Sequence, residues 1–584
     1  MIHQTIKYAS IFLLVILTLQ SQPVGSIEIS GNQNFPSSEY LSWISINSGT
    51  PNFVGIVDTI TSRIFSNLND RGYFSSEITK IDSAINSDSS LTYKIEIDEG
   101  NPSYFSKFEI SNLSVHDSLI FYSELDFLIG EIFNKTEFES AISNILDEYE
   151  NIGFPFAKIS INSMTFSEIE DESLVTIKLT LEKNEKSTID KVEIIGNDKT
   201  NNQVILRAAR IFPPELYSQD KVESIPKKLN RLRFFEQVNT PGYYFNSSNE
   251  GVLQITVQEK ETNNFDGIVG YVPGNENETG YFTGFLNISL RNLFGTGRAA
   301  AFKWHKENRN SQELEIKYME PWILGYPFNI GLGFFQRKQD TTYVQSKFDG
   351  SIEFLATDDI SASLLFSTES IVPTENKNSF FTVYNASILS TGIQLSIDSR
   401  DDVYAPTEGI YFVNSYLYSK KSINGPAQFI TSDTKTEINL QRLTLDFSYF
   451  YEIFNRQVIA AGVHAREMRG DFFEISDYYM LGGTTTLRGY RENQFLGNRT
   501  FWSNFEYRYL LTPRTYAYLF FDTGYYLRNA DESKGLIELS EFKYGYGLGL
   551  NLETGLGILG VSFALGEGDS FSQGKIHFAI VNEF

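Results

Sequence analysis

The chain has 584 residues, too many for one hydrophobic core, and its net charge of -25 argues against a nucleic-acid partner, whose phosphates would be repelled. Aromatic residues make up 15% of the chain, yet the mean hydropathy is only -0.23, a pairing typical of membrane barrels with alternating apolar and polar faces. The absence of cysteine excludes disulfides, thiolate nucleophiles and cysteine metal sites.

Residues 1–26 are predicted to be a secretory signal peptide. Lys7 precedes an apolar run at residues 11–19, which is shorter than the ~20 residues that a membrane-spanning helix needs. Cleavage is expected after Ser26, and an uncleaved anchor is the alternative. Because no other run in the sequence approaches spanning length, a membrane-embedded part has to be a closed sheet.

Residues 27–262 contain a repeat with a period of about 80 residues. Each copy offers an amphipathic helix, a turn and an alternating strand, and the three copies are assigned to residues 27–100, 101–185 and 186–262. In the first copy, one helix face is predicted to consist of Val54, Val57, Ile60, Ile64 and Leu68.

This order of strand, helices and two strands resembles the polypeptide-transport-associated (POTRA) domain. The resemblance implies repeats in the periplasm whose sheet edges bind extended, unfolded clients by β-augmentation. Two simpler interpretations remain open. The copies could be three unrelated α+β domains, or they could only space the rest of the chain from soluble partners.

After residue 262 the helical periodicity ends, and aromatic runs separated by Gly, Asn, Asp and Pro continue to the end of the chain. Sixteen strands of about ten residues, with turns and loops, need roughly 20 residues each, which fits the 320 residues from 265 to 584. The predicted fold is therefore α+β repeats followed by a 16-stranded antiparallel transmembrane β-barrel at residues 263–584.

Several short motifs follow one another in this second half. In chain order they are Asn292-Leu-Phe-Gly-Thr-Gly297, Glu320-Pro-Trp322, Asp398-Ser-Arg-Asp401, Leu481-Gly-Gly483, Leu487-Arg-Gly-Tyr490, Asn504-Phe-Glu-Tyr-Arg508 and Phe521-Asp-Thr-Gly524. In this order, and behind three repeats, they resemble the bacterial surface antigen barrel of the BamA/TamA family.

The resemblance implies a protein of the bacterial outer membrane, with its repeats in the periplasm, that inserts or translocates other proteins. The implied partners are unfolded outer-membrane protein clients, the lipid bilayer, and periplasmic or lipoprotein accessory subunits. No cofactor is implied. Three repeats favour an auxiliary, TamA-like type over the main insertase.

The segment around Arg488 is the strongest candidate site. A guanidinium offers five donors in a planar fork and is retained inside a barrel lumen only if carboxylates pair with it. We predict that this loop folds into the lumen and that Arg488 pairs with a carboxylate downstream; a solvent-exposed arginine is the alternative. The predicted site comprises Leu487, Arg488, Gly489 and Tyr490, with Glu506, Asp522 or both as the partners of the arginine.

The last strand is the second candidate site. Its apolar face consists of Ile576, Phe578, Ile580 and Phe584. A barrel closes when this strand pairs with the first strand, near residues 265–272, and the resemblance implies that this seam is a lateral gate for nascent strands. The alternative is that Phe584 only marks the protein for its own insertion.

Neither a catalytic nor a metal site is predicted. The five histidines are scattered, and the sequence contains no Gly-x-Ser-x-Gly or His-Glu-x-x-His motif. Residues 555–560 have the glycine spacing of a nucleotide-binding fingerprint, but a strand-like segment follows where that fingerprint needs a helix. We therefore expect a protein that is not an enzyme.

The function expected from the resemblance is assembly of outer-membrane proteins, as an insertase or translocase for β-barrel or autotransporter-type clients. One alternative is a two-partner secretion transporter that exports a specific exoprotein through the lumen. Such relatives usually carry two repeats and a plugging N-terminal helix. Another alternative is a passive porin or adhesin, which would not need the long periplasmic part.

Overall fold

The computed structural model describes residues 22–111, 113–169, 172–273, 279–306, 308–374, 383–432, 434–474, 476–530, 537–554 and 557–581. Contacts divide the chain into two units. One contains the first two repeats with residues 214–222 and 245–251, and the other contains most of the third repeat with the barrel. The predicted signal peptide, residues 1–26, lies mostly outside the described residues.

The first two repeats share one plan, in which two helices cover a three-stranded sheet. The first contains β1 (Val24–Ser30), α1 (Ser37–Ile44), α2 (Ile56–Asp70), β2 (Glu77–Ile85) and β3 (Leu91–Asp98). The second contains β4 (Ser103–Ser111), α3 (Val115–Leu125), α4 (Lys135–Asn151), β5 (Lys158–Ile169) and β6 (Glu172–Glu182). The last strand of each repeat is central, in the orders β1–β3–β2 and β4–β6–β5.

The apolar face of α2 forms the core of the first repeat. Because α2 begins at Ile56, its buried residues are Ile56, Ile60, Ile64 and Leu68. The expectation that Val54 and Val57 share this face is wrong. Val54 precedes the helix and is fully exposed, and Val57 is 36% exposed. β1 begins at Val24, so it includes three residues that the sequence analysis assigned to the signal peptide.

The third repeat has shorter elements. It contains β7 (Thr188–Ile189), β8 (Lys191–Ile195), α5 (Asn202–Ala209), β9 (Glu215–Leu216), α6 (Gln219–Leu232), β10 (Gly242–Phe245) and β11 (Gly251–Thr256). Its sheet has the order β10–β11–β8. In α6 the alternation of charged and apolar residues buries Val222, Ile225 and Leu229 and leaves the basic side chains on the other face.

A glutamate that accepts backbone N–H groups recurs in the first and third repeats. Glu99 accepts backbone N–H groups of residues 33 and 34, and Glu259 accepts those of residues 199 and 200. In the second repeat a lysine, Lys183, follows the central strand, and it pairs with Asp117 at 2.9 Å. The second repeat therefore has the opposite charge at this position, and it recruits a carboxylate from α3.

The second half forms one 16-stranded antiparallel sheet in sequential order, which confirms the predicted fold class. Its first eight strands are β12 (Asn264–Val272), β13 (Tyr281–Leu293), β14 (Arg298–Lys306), β15 (Gln312–Glu320), β16 (Phe328–Gln339), β17 (Tyr343–Leu355), β18 (Ile360–Pro373) and β19 (Asn385–Asp398). The next three are β20 (Gly409–Gly425), β21 (Glu437–Phe454) and β22 (Gln457–Arg469).

A long loop then carries a short hairpin outside this sheet, β23 (Tyr479–Leu481) paired with β24 (Phe495–Gly497). The last five strands of the barrel are β25 (Arg499–Thr512), β26 (Thr515–Arg528), β27 (Leu539–Thr554), β28 (Gly557–Gly566) and β29 (Lys575–Val581). Three-residue 3₁₀ turns occur at residues 126–128, 323–325, 427–429 and 571–573.

Side chains alternate between an apolar outer face and a polar lumen. On β18, Leu364 and Phe366 are half exposed on the outside, whereas Ser363, Ser367 and Glu369 are buried inside. This alternation is what a strand needs when one face contacts lipid and the other contacts a polar interior. None of the helices in the described part of the chain combines the length and hydrophobicity that a bilayer crossing requires.

The turn between β19 and β20, residues 399–408, shows that the sheet is strongly curved. The Tyr404 hydroxyl accepts from Arg291 of β13 at 3.2 Å, and Asp402 pairs with Arg514, between β25 and β26, at 2.7 Å. Strands six places apart in a flat sheet would be separated by roughly 29 Å. One short turn reaches both because the sheet curls into a barrel, and Ala405 packs inside its periplasmic end.

Candidate functional site

The candidate site is the loop between β22 and β25, which folds back against the inner wall. Leu481 and Leu487 are completely buried, and they pack with Tyr490 against Trp502 and Tyr526 of the wall. The β23–β24 pair closes the base of the loop. The sequence Gly482-Gly483 permits the return of the chain, because both residues have positive φ, 113° and 103°.

Arg488 lies at the tip of this loop, with both carboxylates in contact. Its Nε and Nη2 donate to the two carboxylate oxygens of Asp522, each at 2.7 Å, and its Nη1 donates to Glu506 at 2.6 Å. Its backbone N–H also donates to Asp522, at 3.0 Å. Arg488 is 6% exposed and Asp522 is fully buried, so each ion depends on the other for compensation.

The charges continue along the wall beyond Arg488. Arg508 donates to the other oxygen of Glu506 at 2.8 Å, so that carboxylate bridges two guanidinium groups. Arg488 stacks on Phe520 with a separation of 3.7 Å, and Arg508 stacks on Tyr516 at 4.8 Å. Aromatic faces thus supply favourable electrostatics where carboxylates do not reach.

Gly489 and Tyr490 fasten the loop to the last strands. Gly489 has φ of 94°, and a Cβ at this position would lie 2.7 Å from the Leu565 carbonyl carbon. Only glycine fits such an approach. The Tyr490 hydroxyl donates to the Tyr544 carbonyl and accepts from the Glu567 N–H, both at 3.0 Å.

His577 of β29 is a site residue that the sequence analysis missed. Its Nε2 accepts the Gly489 N–H at 3.2 Å, and its Nδ1 lies 3.4 Å from the Thr484 hydroxyl. The strand alternation was the available signal, since His577 lies between Ile576 and Phe578, which are 62% and 68% exposed on the outer face. The side chain of Ile580, and Phe584 as a whole, lie outside the described parts.

A second buried charge cluster, also missed, lies at the extracellular end. Lys421 of β20 is fully buried and pairs with Glu474 at 2.6 Å and with Asp477 at 2.7 Å. Both carboxylates come from the loop after β22, which therefore folds over this end of the lumen. Within the described residues, no three His, Asp or Glu side chains are grouped as ligands for a metal ion.

Comparisons with known families match both halves of the chain. The Omp85 superfamily domain matches residues 292–584, and the surface antigen variable number repeat, a POTRA-type repeat, matches residues 22–100 and 187–260. Those two repeat ranges are the ones whose glutamate accepts backbone N–H groups, as described above. The match confirms the family resemblance.

A relative named outer membrane protein assembly factor BamA, from Nitratidesulfovibrio vulgaris, is 25% identical over 475 residues, which cover 74% of this chain and 56% of that protein. The chain therefore spans about half the length of that curated relative. Among solved structures, BamA from Haemophilus ducreyi lacking POTRA domains 1-3 is 16% identical with a TM-score of 0.46, covering 82% of this chain and 98% of that one. CdiB from Escherichia coli is 12% identical with a TM-score of 0.47, covering 90% and 97%.

Proposed function

Because the chain belongs to the Omp85 superfamily, we propose that it assembles proteins into the outer membrane, as an insertase or translocase for β-barrel or autotransporter-type clients. The protein is located in the bacterial outer membrane, with its N-terminal repeats in the periplasm. Folding of the client supplies the free energy, so no catalytic residue or cofactor takes part. Periplasmic or lipoprotein subunits assist delivery.

The proposal rests on the short pairing of the two end strands, β12 and β29, with their neighbours. Within the described residues, β12 pairs with β13 over nine residues and β29 pairs with β28 over seven, whereas β20 pairs with each neighbour over fourteen. Since each pair of residues adds hydrogen bonds, the end strands are held less firmly than the opposite wall. They can part and offer their edges to a client strand.

The repeats have edges available for the preceding step. β5 is an outer strand of its sheet, and it exposes Ile161, Phe166 and Ile169 by 51% to 57%. An extended client segment that pairs with such an edge gains main-chain hydrogen bonds with little demand on its sequence. The exposed apolar side chains then favour clients with alternating apolar residues, as membrane strands have.

Arg488 and His577 give the loop a positioning role in this scheme. Arg488 fixes the loop on β25 and β26, and Gly489 then reaches His577 on the last strand. The loop thereby holds β29 in register while the seam is at rest. Loss of the arginine leaves the last strand without this support.

Cross-linking the seam tests lateral insertion. The natural chain has no cysteine, so Ile268→Cys and Phe578→Cys introduce the sole thiols, which a bifunctional reagent can join. We expect the cross-linked protein to lose assembly of barrel clients in proteoliposomes and to recover it after cleavage of the linker. The control is Leu389→Cys with Lys420→Cys, which face each other on the firmly paired β19 and β20. Equal activity in both cross-linked variants would refute the proposal.

Fixing the turn 399–408 by a cross-link distinguishes lateral insertion from secretion through the lumen. Asp402 and Arg514 already join the turn 399–408 to the turn between β25 and β26, three strands away, so Asp402→Cys with Arg514→Cys can fix that turn in place. A lateral insertase keeps its activity when the turn is fixed. A transporter that passes an exoprotein through the lumen loses its activity.

Depletion of the protein, followed by outer-membrane proteomics, identifies the client class. Broad loss of barrel proteins supports assembly, loss of one exoprotein supports two-partner secretion, and an unchanged outer membrane contradicts both.

A further inference from the structure

A cavity of about 380 Å³ lies between helices α5 and α6 of the third repeat and the turns at residues 294–297 and 321–327 of the barrel, all within one unit. Although the whole chain carries a charge of -25, the described residues that line this cavity include six cations and a single carboxylate, Asp358. The cations are Arg207, Arg210, Lys228, Arg231, Arg233 and Arg291.

Internal carboxylates compensate three of the six cations. Asp358 pairs with Arg210 at 2.6 Å and with Lys228 at 3.0 Å, and Arg231 pairs with Asp359 at 2.6 Å. These ion pairs hold the two helices against the turn between β17 and β18. They leave the cavity with an excess of positive charge.

Arg207 and Arg291 contribute to that excess. In the described part of the chain neither guanidinium has a carboxylate within ion-pair distance. Arg207 lies 5.9 Å from the Trp322 ring, and Arg291 donates to the Tyr404 hydroxyl at 3.2 Å. Both are partly buried, so water screens them incompletely. Guanidinium forks in such a concave site match the oxygens of a phosphate.

The rest of the cavity lining is largely apolar and lies beside turns of the barrel. Its lining includes Val204, Leu232, Phe234, Met319 and Trp322. The two turns beside it expose Phe294 by 90% and Leu324 by 91%. In a membrane barrel the periplasmic turns lie at the interface, where such side chains meet the boundary between headgroups and acyl chains.

We propose that this cavity binds the phosphate headgroup of an anionic phospholipid from the periplasmic leaflet. Arg207 and Arg291 bind the phosphate oxygens, and the glycerol and upper acyl chains contact Trp322 and the exposed turn residues. The lipid fills the gap between the third repeat and the barrel rim, so it steadies the repeat on the membrane. The site depends on the membrane location and not on the identity of the client.

Binding of short-chain lipids to the full-length protein in a neutral detergent tests the site. Calorimetric titration with dihexanoyl phosphatidylglycerol should show binding about tenfold tighter than with dihexanoyl phosphatidylcholine, which has the same phosphate but no net charge. The double variant Arg207→Gln, Arg291→Gln should weaken phosphatidylglycerol binding about tenfold or more. The single variant Arg207→Gln, which disturbs the barrel wall least, should show part of that loss.

The matched control is Arg469→Gln with Arg499→Gln, which changes the net charge equally at the extracellular end and should keep affinity within about twofold. Heat-dependent gel mobility verifies that each variant is folded. Equal affinity for the two lipids, or equal loss in the control, overturns the proposal. So does inorganic phosphate binding as tightly as phosphatidylglycerol, which would indicate a free-anion site, or an acidic peptide displacing the lipid.

Discussion

The first repeat and the barrel interior bury their side chains for different physical reasons. In the repeat, Ile60, Ile64 and Leu68 are at most 1% exposed and form a dry apolar core. In the barrel, Arg488 and Asp522 are buried almost as deeply, but as ions. Removing apolar area from water is favourable in itself, whereas a buried ion is tolerated only beside a partner that compensates its lost hydration.

This difference predicts how a substitution should destabilise each region. A truncation in the repeat loses contact area and leaves a cavity, and its cost grows with the size of the group removed. Removal of one ion in the barrel leaves the other charge without compensation, and the cost then exceeds what the lost contact area would indicate.

The largest effect is expected from Arg488→Ala. It leaves Asp522 and Glu506 facing each other without their shared cation, so we expect a loss of about 3–5 kcal/mol in barrel stability. Urea unfolding monitored by heat-dependent gel mobility measures it. Arg488→Lys should recover only part, since an ammonium cannot replace the planar fork. The control is Arg469→Ala, at an exposed position. An equal loss of stability in that variant would contradict the role assigned to the burial of Arg488.

Ile64→Ala should follow, with a loss of about 2–5 kcal/mol confined to the first repeat. Ile64 is fully buried in the centre of the α2 face, so its truncation leaves a cavity. Faster hydrogen exchange of the α2 amides, with unchanged exchange in the barrel, is the expected result. Val54→Ala, at a fully exposed position, should change neither. If Ile64→Ala also slowed refolding of the barrel, the apolar core of the first repeat would not be independent of the ion pairs in the lumen.

Asp117→Asn sharpens the comparison, because Asp117 is a buried ion within a repeat. Burial alone would raise the pKa of Asp117, but hydrogen bonds from Ser114, Lys183 and Tyr149 outweigh it and hold the pKa well below its usual range. The carboxylate therefore stabilises the second repeat fully above pH of about 4, the ordinary aspartate pKa, and this stabilisation is lost as the pH falls further.

The Asp117→Asn variant should thus lose about 1–3 kcal/mol at neutral pH and show less additional loss in acid. Hydrogen exchange of the α3 and α4 amides across a pH series measures both. Asp147→Asn, at an exposed position of α4, is the control and should retain the acid sensitivity. An unchanged pH profile in Asp117→Asn would assign the acid sensitivity to other groups.

The smallest effect is expected from His577→Ala. It removes the acceptor of the Gly489 N–H, a neutral hydrogen bond that contributes about 0.5–1.5 kcal/mol. We expect faster exchange of the Gly489 amide while Arg488 stays paired. His305→Ala, at an exposed position of β14, is the control. A loss as large as that of Arg488→Ala would mean that the last strand, and not the arginine, holds the loop.

Local patterns in the sequence were sufficient for the architecture. Alternation with a period of two predicts a strand wherever it occurs, and helical periodicity ends at residue 262, soon before the sixteen strands of the barrel begin. The start of α2 was misjudged because Val54 fits the helical period, although the left-handed Gly55 separates it from the helix. Periodicity shows which residues can share a face, but not where a helix begins.

What the sequence by itself determined is the class of each half and the chemical need of Arg488 for carboxylates, because both follow from residue type and spacing. Only the tertiary structure decided which distant groups meet. Gly489 and His577 are 88 residues apart, and Lys421 and Asp477 are 56 apart. In the cavity beside the third repeat, Arg207, Arg231 and Arg291 likewise come from α5, α6 and β13. The partners within the barrel are brought together by the curling of the sheet, which depends on the register of its strands and leaves no mark in any one segment.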